Sequence, residues 1–202
     1  MALLYTLRLR RDQGVNPRYP GGLDSRHAKP SFGFADRREV AAIPSSETLS
    51  QALIDQVRSV VVEVSPHMRE LGIEIVAMEA GRLTLKLPYR PELVGHPETG
   101  VLHGGAVTVL LDSCSGLAVT TALRALVPVA TLDLRIDYLR PAAPGVAVLA
   151  QAHCYKVTRA VAFTRGFAYQ RDAADPIAHC AGSFILSSSG EPLPPAAPPA
   201  PA

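Results

Sequence analysis

From Gly104 to Leu123 the chain carries one charged side chain, Asp112, in an otherwise uncharged and largely apolar run. A carboxylate in apolar surroundings is costly to ionise. Its pKa rises toward the range in which it can take a proton from water. Just upstream stands His103-Gly104-Gly105. At a helix start, unsatisfied N–H groups and the positive end of the macrodipole point outward. Glycines there let a ligand approach the backbone, and such a place suits the oxyanion of acyl transfer. Each feature alone has a plainer reading: an aspartate bonded to Ser113 or to backbone, and an ordinary loop–helix junction.

Other reactive residues make weaker cases. Asp112-Ser113-Cys114-Ser115 holds hydroxyl and thiol nucleophiles, but no GxSxG elbow surrounds them. Small residues packing a central helix explain them better. His153 and His179 fall in strand-like stretches and read as structural or surface residues. Cys114, Cys154 and Cys180 are odd in number and far apart, without a CxxC pair. This spacing points to no metal site, no redox cofactor and a reducing, cytoplasmic compartment. A net charge of +2 over 202 residues makes no case for nucleic acid.

Three unequal segments carry these residues. Residues 1–45 hold eight Lys/Arg against four Asp/Glu and show no periodicity, so they read as an irregular basic extension. Four acids argue against a transit peptide, and no apolar stretch of secretory length follows the basic residues. Residues 189–202 are rich in proline and alanine, which predicts an extended, solvated tail of polyproline II type. The folded domain spans 46–188.

Within it, Ser46, Glu47 and the apolar positions Leu49, Leu53, Ile54, Val57 and Val60/Val61 predict a capped amphipathic helix. Gly72–Ala80 and Arg82–Tyr89 predict a hairpin, and Arg90 to Leu102 a loop. Alternation predicts a strand over Thr131–Leu139. Leu132, Leu134, Ile136 and Tyr138 would share one face, and Thr131, Asp133, Arg135 and Asp137 the other. Val146–Val157, Val161–Arg171 and Ile177–Ser187 complete four strands. The run from Gly104 to Leu123 is long enough for a membrane span. It contains Thr108, Ser113, Ser115, Thr120 and Thr121, however, and amphipathic strands flank it. A helix wrapped by a sheet is apolar all round in the same way. No membrane is expected.

The stretch from His96 to Gly105, followed by Leu110-Leu111-Asp112, resembles the signature of hotdog-fold acyl-CoA thioesterases of the phenylacetate-type (PaaI) family. Leu71-Gly72-Ile73 resembles the lead into that family's first strand. Thr131 to Pro141, with Gly145 after it, resembles the strand and turn that follow its helix. The resemblance covers about 65–188. It implies an α+β hotdog fold, an antiparallel sheet wrapped around a long central helix, and hydrolysis of an acyl-CoA thioester to a carboxylic acid and coenzyme A.

By position in that signature, Asp112 matches the catalytic carboxylate, acting as general base or nucleophile. Gly104 matches the N–H that polarises the thioester carbonyl, with His103 beside it and Gly105 next on the substrate path. Thr131 matches a hydroxyl that helps to hold the attacking water. His96 stands where the family usually has asparagine; histidine can also donate a hydrogen bond. Arg159, with Arg140 and Lys156, is a candidate for the phosphates of coenzyme A, against the plainer reading of a solvated surface. No cofactor is implied.

Helix geometry adds an expectation of its own. Gly104 and Asp112 lie about 12 Å apart along one helix axis. A reacting carbonyl must sit about 3 Å from both its oxyanion donor and its attacking group. One helix is poorly placed to supply both, so composite sites in a homodimer, or a dimer of dimers, are expected. A non-catalytic acyl-CoA-binding protein on the same fold is the alternative reading. A hotdog hydratase would need an Asp/His pair that the chain does not show.

Overall fold

The computed structural model describes residues 49–59 and 65–186. The expected basic extension, the Pro/Ala-rich tail, the cap at Ser46 and the apolar positions Val60/Val61 lie outside the described residues. Helix α1 runs Gln51–Ser59 and buries Leu53 and Val57. Its cap within the described chain is Ser50, whose Oγ accepts the Leu53 N–H at 3.3 Å. A short helix α2, Pro66–Glu70, was not expected. Proline stands at its start, where a missing N–H costs nothing, and Ser65 caps the Met68 N–H.

Strands β1 (Glu74–Glu79) and β2 (Arg82–Leu87) form the expected hairpin, shorter at its outer ends than the apolar pattern suggested. The expected loop contains a 3₁₀ turn, Pro91–Leu93, and a two-stranded ribbon of β3 (Val94–His96) and β4 (Val101–Leu102). The long helix α3 follows, Gly104–Leu123. Then come β5 (Val129–Tyr138), β6 (Val148–Val157), β7 (Val161–Tyr169) and β8 (Ala178–Leu186).

Among the described residues, six strands make one antiparallel sheet in the order β1-β2-β6-β7-β8-β5, with β1 and β5 at its edges. Helix α3 packs against one face, chiefly on β6, β2 and β7. Leu110, Leu111, Cys114, Ala118, Val119 and Thr121 of the helix are completely buried, as are Leu85, Leu87, Val148 and Ala150 of the sheet. Each such leucine contributes about 1.5–3 kcal/mol by leaving water. The helix is long and apolar enough to cross a membrane by length and composition, but it is mostly buried inside the domain. All three cysteines are buried free thiols.

Strand β5 departs from simple alternation. Thr131 pairs with Phe184 and Asp133 with Ser183, so Leu132 is an extra residue, a β-bulge. The bulge changes the phase of the side chains. Thr131 therefore shares the helix-facing side with Leu134 and Ile136, and Leu132 is 54% exposed. The expectation that Leu132 shares a face with Leu134 and Ile136, and Thr131 the opposite one, is corrected by this one insertion.

Candidate active site

The bulge aims Thr131 at α3. Its hydroxyl donates a 2.8 Å hydrogen bond to Oδ1 of Asp112. Asp112 directly follows Leu110 and Leu111 near the middle of α3 and is only 8% exposed. Burial pushes its carboxyl above the usual carboxylate range, and the bond from Thr131 opposes part of that rise. One carboxylate oxygen is thus held by a donor. No hydrogen bond to Oδ2 is formed among the described residues, which leaves it able to accept a proton.

The second half of the site is the start of α3. His103 is the N-cap: its extended backbone (φ −62°, ψ 131°) precedes the helix and its Nδ1 accepts the Gly105 N–H at 2.9 Å. An accepting Nδ1 requires that a neutral imidazole carry its proton on Nε2. The cap uses the Gly105 N–H, so Gly105 itself offers no free donor to a ligand. The Gly104 N–H has no partner among the described residues and is the open donor of the helix start. His103 is seated by close contact. Its own N–H bonds Leu93 O at 2.8 Å, and a Cβ at Gly95 would stand 2.8 Å from its Cα. Only glycine fits beneath it.

Tyr138, at the far end of β5, reaches over the same helix start. Its hydroxyl donates to Gly104 O at 2.7 Å and lies 2.8 Å from Thr108 Oγ1, which also bonds that carbonyl at 3.1 Å. Neither Tyr138 nor Thr108 was singled out from the sequence. The spacing of Thr108, four residues after Gly104, is the ordinary signal of a hydroxyl bonding back within a helix; Tyr138 carried no local signal.

His96 closes β3 and is exposed. Its carbonyl accepts the N–H groups of Thr99 and Gly100, at 3.1 and 2.9 Å, and its imidazole forms no hydrogen bond among the described residues. The ribbon thus leaves the ring free to turn toward a substrate. Arg159 is exposed in the β6–β7 turn and Lys156 is exposed near the end of β6. Arg140 is instead committed to Asp175, with nitrogen–oxygen contacts of 2.8 and 3.2 Å. Ser113, Cys114 and Ser115 are buried along α3, and Cys114 donates to the carbonyls of Leu83 and Ala150. They pack the helix, as their small size suggested. Burial raises the Cys154 thiol to about 11, so it is no nucleophile either.

Two halves are therefore built, and α3 holds them apart. Asp112 with Thr131 forms one; His103, Gly104 and Tyr138 form the other. Eight helical residues separate Gly104 from Asp112, about 12 Å along the axis.

Comparison with known proteins agrees with this architecture. Residues 99–176, which carry β4, α3 and β5 to β7, match the thioesterase superfamily. The chain is 44% identical to a Pseudomonas aeruginosa protein of known structure, covering 66% of this chain and 98% of that one with a TM-score of 0.60. It is 26% identical to a mutant of the phenylacetic acid degradation protein PaaI from Thermus thermophilus, covering 60% and 98% with a TM-score of 0.53. Human acyl-coenzyme A thioesterase 13 is 31% identical over 97 residues, 48% of this chain and 67% of that protein. The chain spans about half the length of other curated relatives that it matches, 50% and 51%. The antiparallel sheet around a long central helix is the hotdog fold, and the chain belongs to the thioesterase superfamily.

Proposed function

We propose that the protein hydrolyses the thioester of an acyl-coenzyme A, releasing a carboxylic acid and free coenzyme A, in composite sites of a homodimer. The observation that carries this reading is the buried Asp112, with one oxygen held by Thr131 and the other without a hydrogen bond among the described residues. Binding alone has no use for a carboxylate kept costly to ionise in an apolar helix. The similarity to human acyl-coenzyme A thioesterase 13 supports the coenzyme A ester as substrate.

In this reading the thioester carbonyl oxygen sits on the Gly104 N–H of one subunit, with the His96 imidazole as a second donor. Asp112 of the other subunit takes a proton from water as the water oxygen attacks the carbonyl carbon. The negative charge that develops on the carbonyl oxygen is met by the Gly104 N–H and the positive end of α3. The intermediate collapses, the carbon–sulfur bond breaks, and the proton held by Asp112 passes to the thiolate of coenzyme A. Gly105 serves by letting the acyl chain pass close to the helix, and Arg159 meets the phosphates at the outer end of the sheet.

The open edge of β5 supports the dimer. Among the described residues it has a partner strand on one side only, and Leu132, Tyr138 and the following Leu139 are each more than half exposed. Antiparallel pairing of two such edges about their midpoint sets the Tyr138 end, over Gly104, against the partner's Thr131 end, over its Asp112. Two dimers stacking into a tetramer leave this geometry unchanged. The free cysteines accord with a reducing, cytoplasmic setting. The test is a panel of acyl-CoA thioesters assayed for release of free thiol. Turnover of at least one thioester that is lost in Asp112→Asn is the expected result. Saturable acyl-CoA binding without turnover would assign the binding role instead.

A further inference from the structure

The face of the sheet turned away from α3 has its own concentration of charge. Arg82 on β2 pairs with His153 on β6, which pairs with Arg165 on β7. Residues in direct register point to the same face, and neighbouring strands lie about 4.8 Å apart. Two arginines thus flank one histidine within about 10 Å. Their neighbours in sequence, Leu83, Ala152, Cys154 and Thr164, are buried toward the helix, so this row faces outward.

No ion pair neutralises the row among the described residues. Arg165 lies over the ring of Tyr155, 5.9 Å from its centroid, which orients the guanidinium without cancelling its charge. Glu79 stands opposite Arg82 at the hairpin end and forms no salt bridge with it. The Nδ1 atom of His153 is buried and has no hydrogen-bond partner. Burial, then Arg82 and Arg165, hold this imidazole below its usual pKa. Both guanidinium groups, neither in an ion pair among the described residues, and the His153 ring line a depression of about 690 Å³.

We propose that this depression is a binding site for a phosphate group, held by Arg82, His153 and Arg165. A planar guanidinium offers paired donors that match phosphate oxygens, and two of them supply charge-assisted bonds. A phosphate monoester loses its second proton near pH 6, so near neutrality it carries oxygens that can accept a hydrogen bond from the His153 ring or a hydroxyl that can donate one to it. Glu79 repels an anion at the β1 end and confines the seat to the His153–Arg165 side. In the next row of the sheet, Thr84, Gln151 and Phe167 line the same depression. The Phe167 ring leans against Tyr169 and His179, at 5.7 and 6.1 Å, and presents an apolar surface beside the cations. The phosphate can therefore be free inorganic phosphate or that of a nucleotide whose base lies on Phe167. The site is on the opposite side of the sheet from Asp112 and is independent of the proposed hydrolysis.

Isothermal titration of the full chain with inorganic phosphate, ADP and adenosine, in a buffer without oxyanions, tests this. The expected result is saturable binding of phosphate or ADP that weakens about ten-fold or more in Arg82→Gln and in Arg165→Gln, and is unchanged in Asp112→Asn. Both arginines are exposed, so the variants retain the fold, which circular dichroism checks. Phosphate binding as well as ADP assigns the free anion; tighter binding of ADP assigns the nucleotide. Adenosine binding as tightly as ADP, no saturable binding of either anion, or affinity indifferent to both arginine changes overturns the proposal. Because Asp112→Asn is expected to keep this site, loss of the hydrolysis reading leaves it standing.

Discussion

Thr131 Oγ1 and Asp112 Oδ1 are 2.8 Å apart because a β-bulge at Leu132 turns Thr131 inward. The hydroxyl has a donor's role here, and the carboxylate it holds is almost completely buried. Local chain geometry at a sheet edge thus decides which oxygen of Asp112 stays open for a proton.

The first prediction concerns Asp112→Asn. The amide keeps the shape and still accepts the Thr131 bond, but it neither ionises nor takes a proton. Thioester hydrolysis should fall about 10²–10⁴-fold. Stability should move the other way. Burial raises the carboxyl pKa in the folded state, so folding is helped most at low pH and that help is lost as pH rises through the folded value. The Tm of Asp112→Asn relative to wild type should therefore increase between about pH 4 and pH 8. A variant that keeps over a tenth of wild-type kcat, or a Tm difference flat with pH, would place the chemistry or the burial elsewhere.

Thr131 tests the same pair from the strand side. Removing the hydroxyl in Thr131→Val removes the one bond that lowers the Asp112 pKa, so the rise of kcat with pH should move to higher pH. Thr131→Ser restores the donor and should restore the profile. Loss of a hydrogen bond to a charged group is worth about 1.5–3 kcal/mol, so kcat near neutrality should drop about ten-fold or more. A Val variant with a lower rate and an unmoved pH profile would mean that Thr131 only packs.

Much of this was legible in the chain and some was not. The bounds of α3 follow from the uncharged run that Asp112 interrupts, and the hairpin from Gly81 between two apolar stretches. The bulge at Leu132 was not legible. Period-2 alternation looked unbroken there, and the extra residue exists only relative to β8. Alternation put Tyr138 on the face of Leu134 and Ile136 but gave no sign that its hydroxyl crosses 34 positions to Gly104. The imidazole cap of His103 was hidden too, because histidine is not a usual N-cap residue. Relationships within one helix could be read from spacing; those between strand and helix needed the register.

His96 is the departure from the usual family residue, and its ring is unengaged among the described residues. If it donates to the thioester, His96→Asn preserves a donor and should keep kcat within about three-fold of wild type, whereas His96→Ala should lose about ten-fold or more. Steady-state rates of the two variants decide this. Equal and wild-type-like rates for both would remove His96 from the site and leave Gly104 as the sole donor.

The composite site makes the most exposed prediction, and Gly104 provides the means. It is the first residue of α3, where proline is well accommodated, and the residue before it is already extended. A Cβ there would meet nothing closer than the Tyr138 hydroxyl at 3.5 Å. Gly104→Pro should thus delete one N–H with the helix intact, and removing one oxyanion donor typically costs about 10²–10³-fold in kcat. Asp112→Asn disables the other half. Neither variant should hydrolyse thioesters alone. Mixed through unfolding and refolding, half the dimers are hybrids, and each hybrid has one site with an intact Gly104 from one chain and an intact Asp112 from the other. The mixture should recover about a quarter of wild-type activity. Sites built within single chains recover none, so a mixture as inactive as its parents, with hybrid dimers confirmed by mass, would end the composite-site proposal.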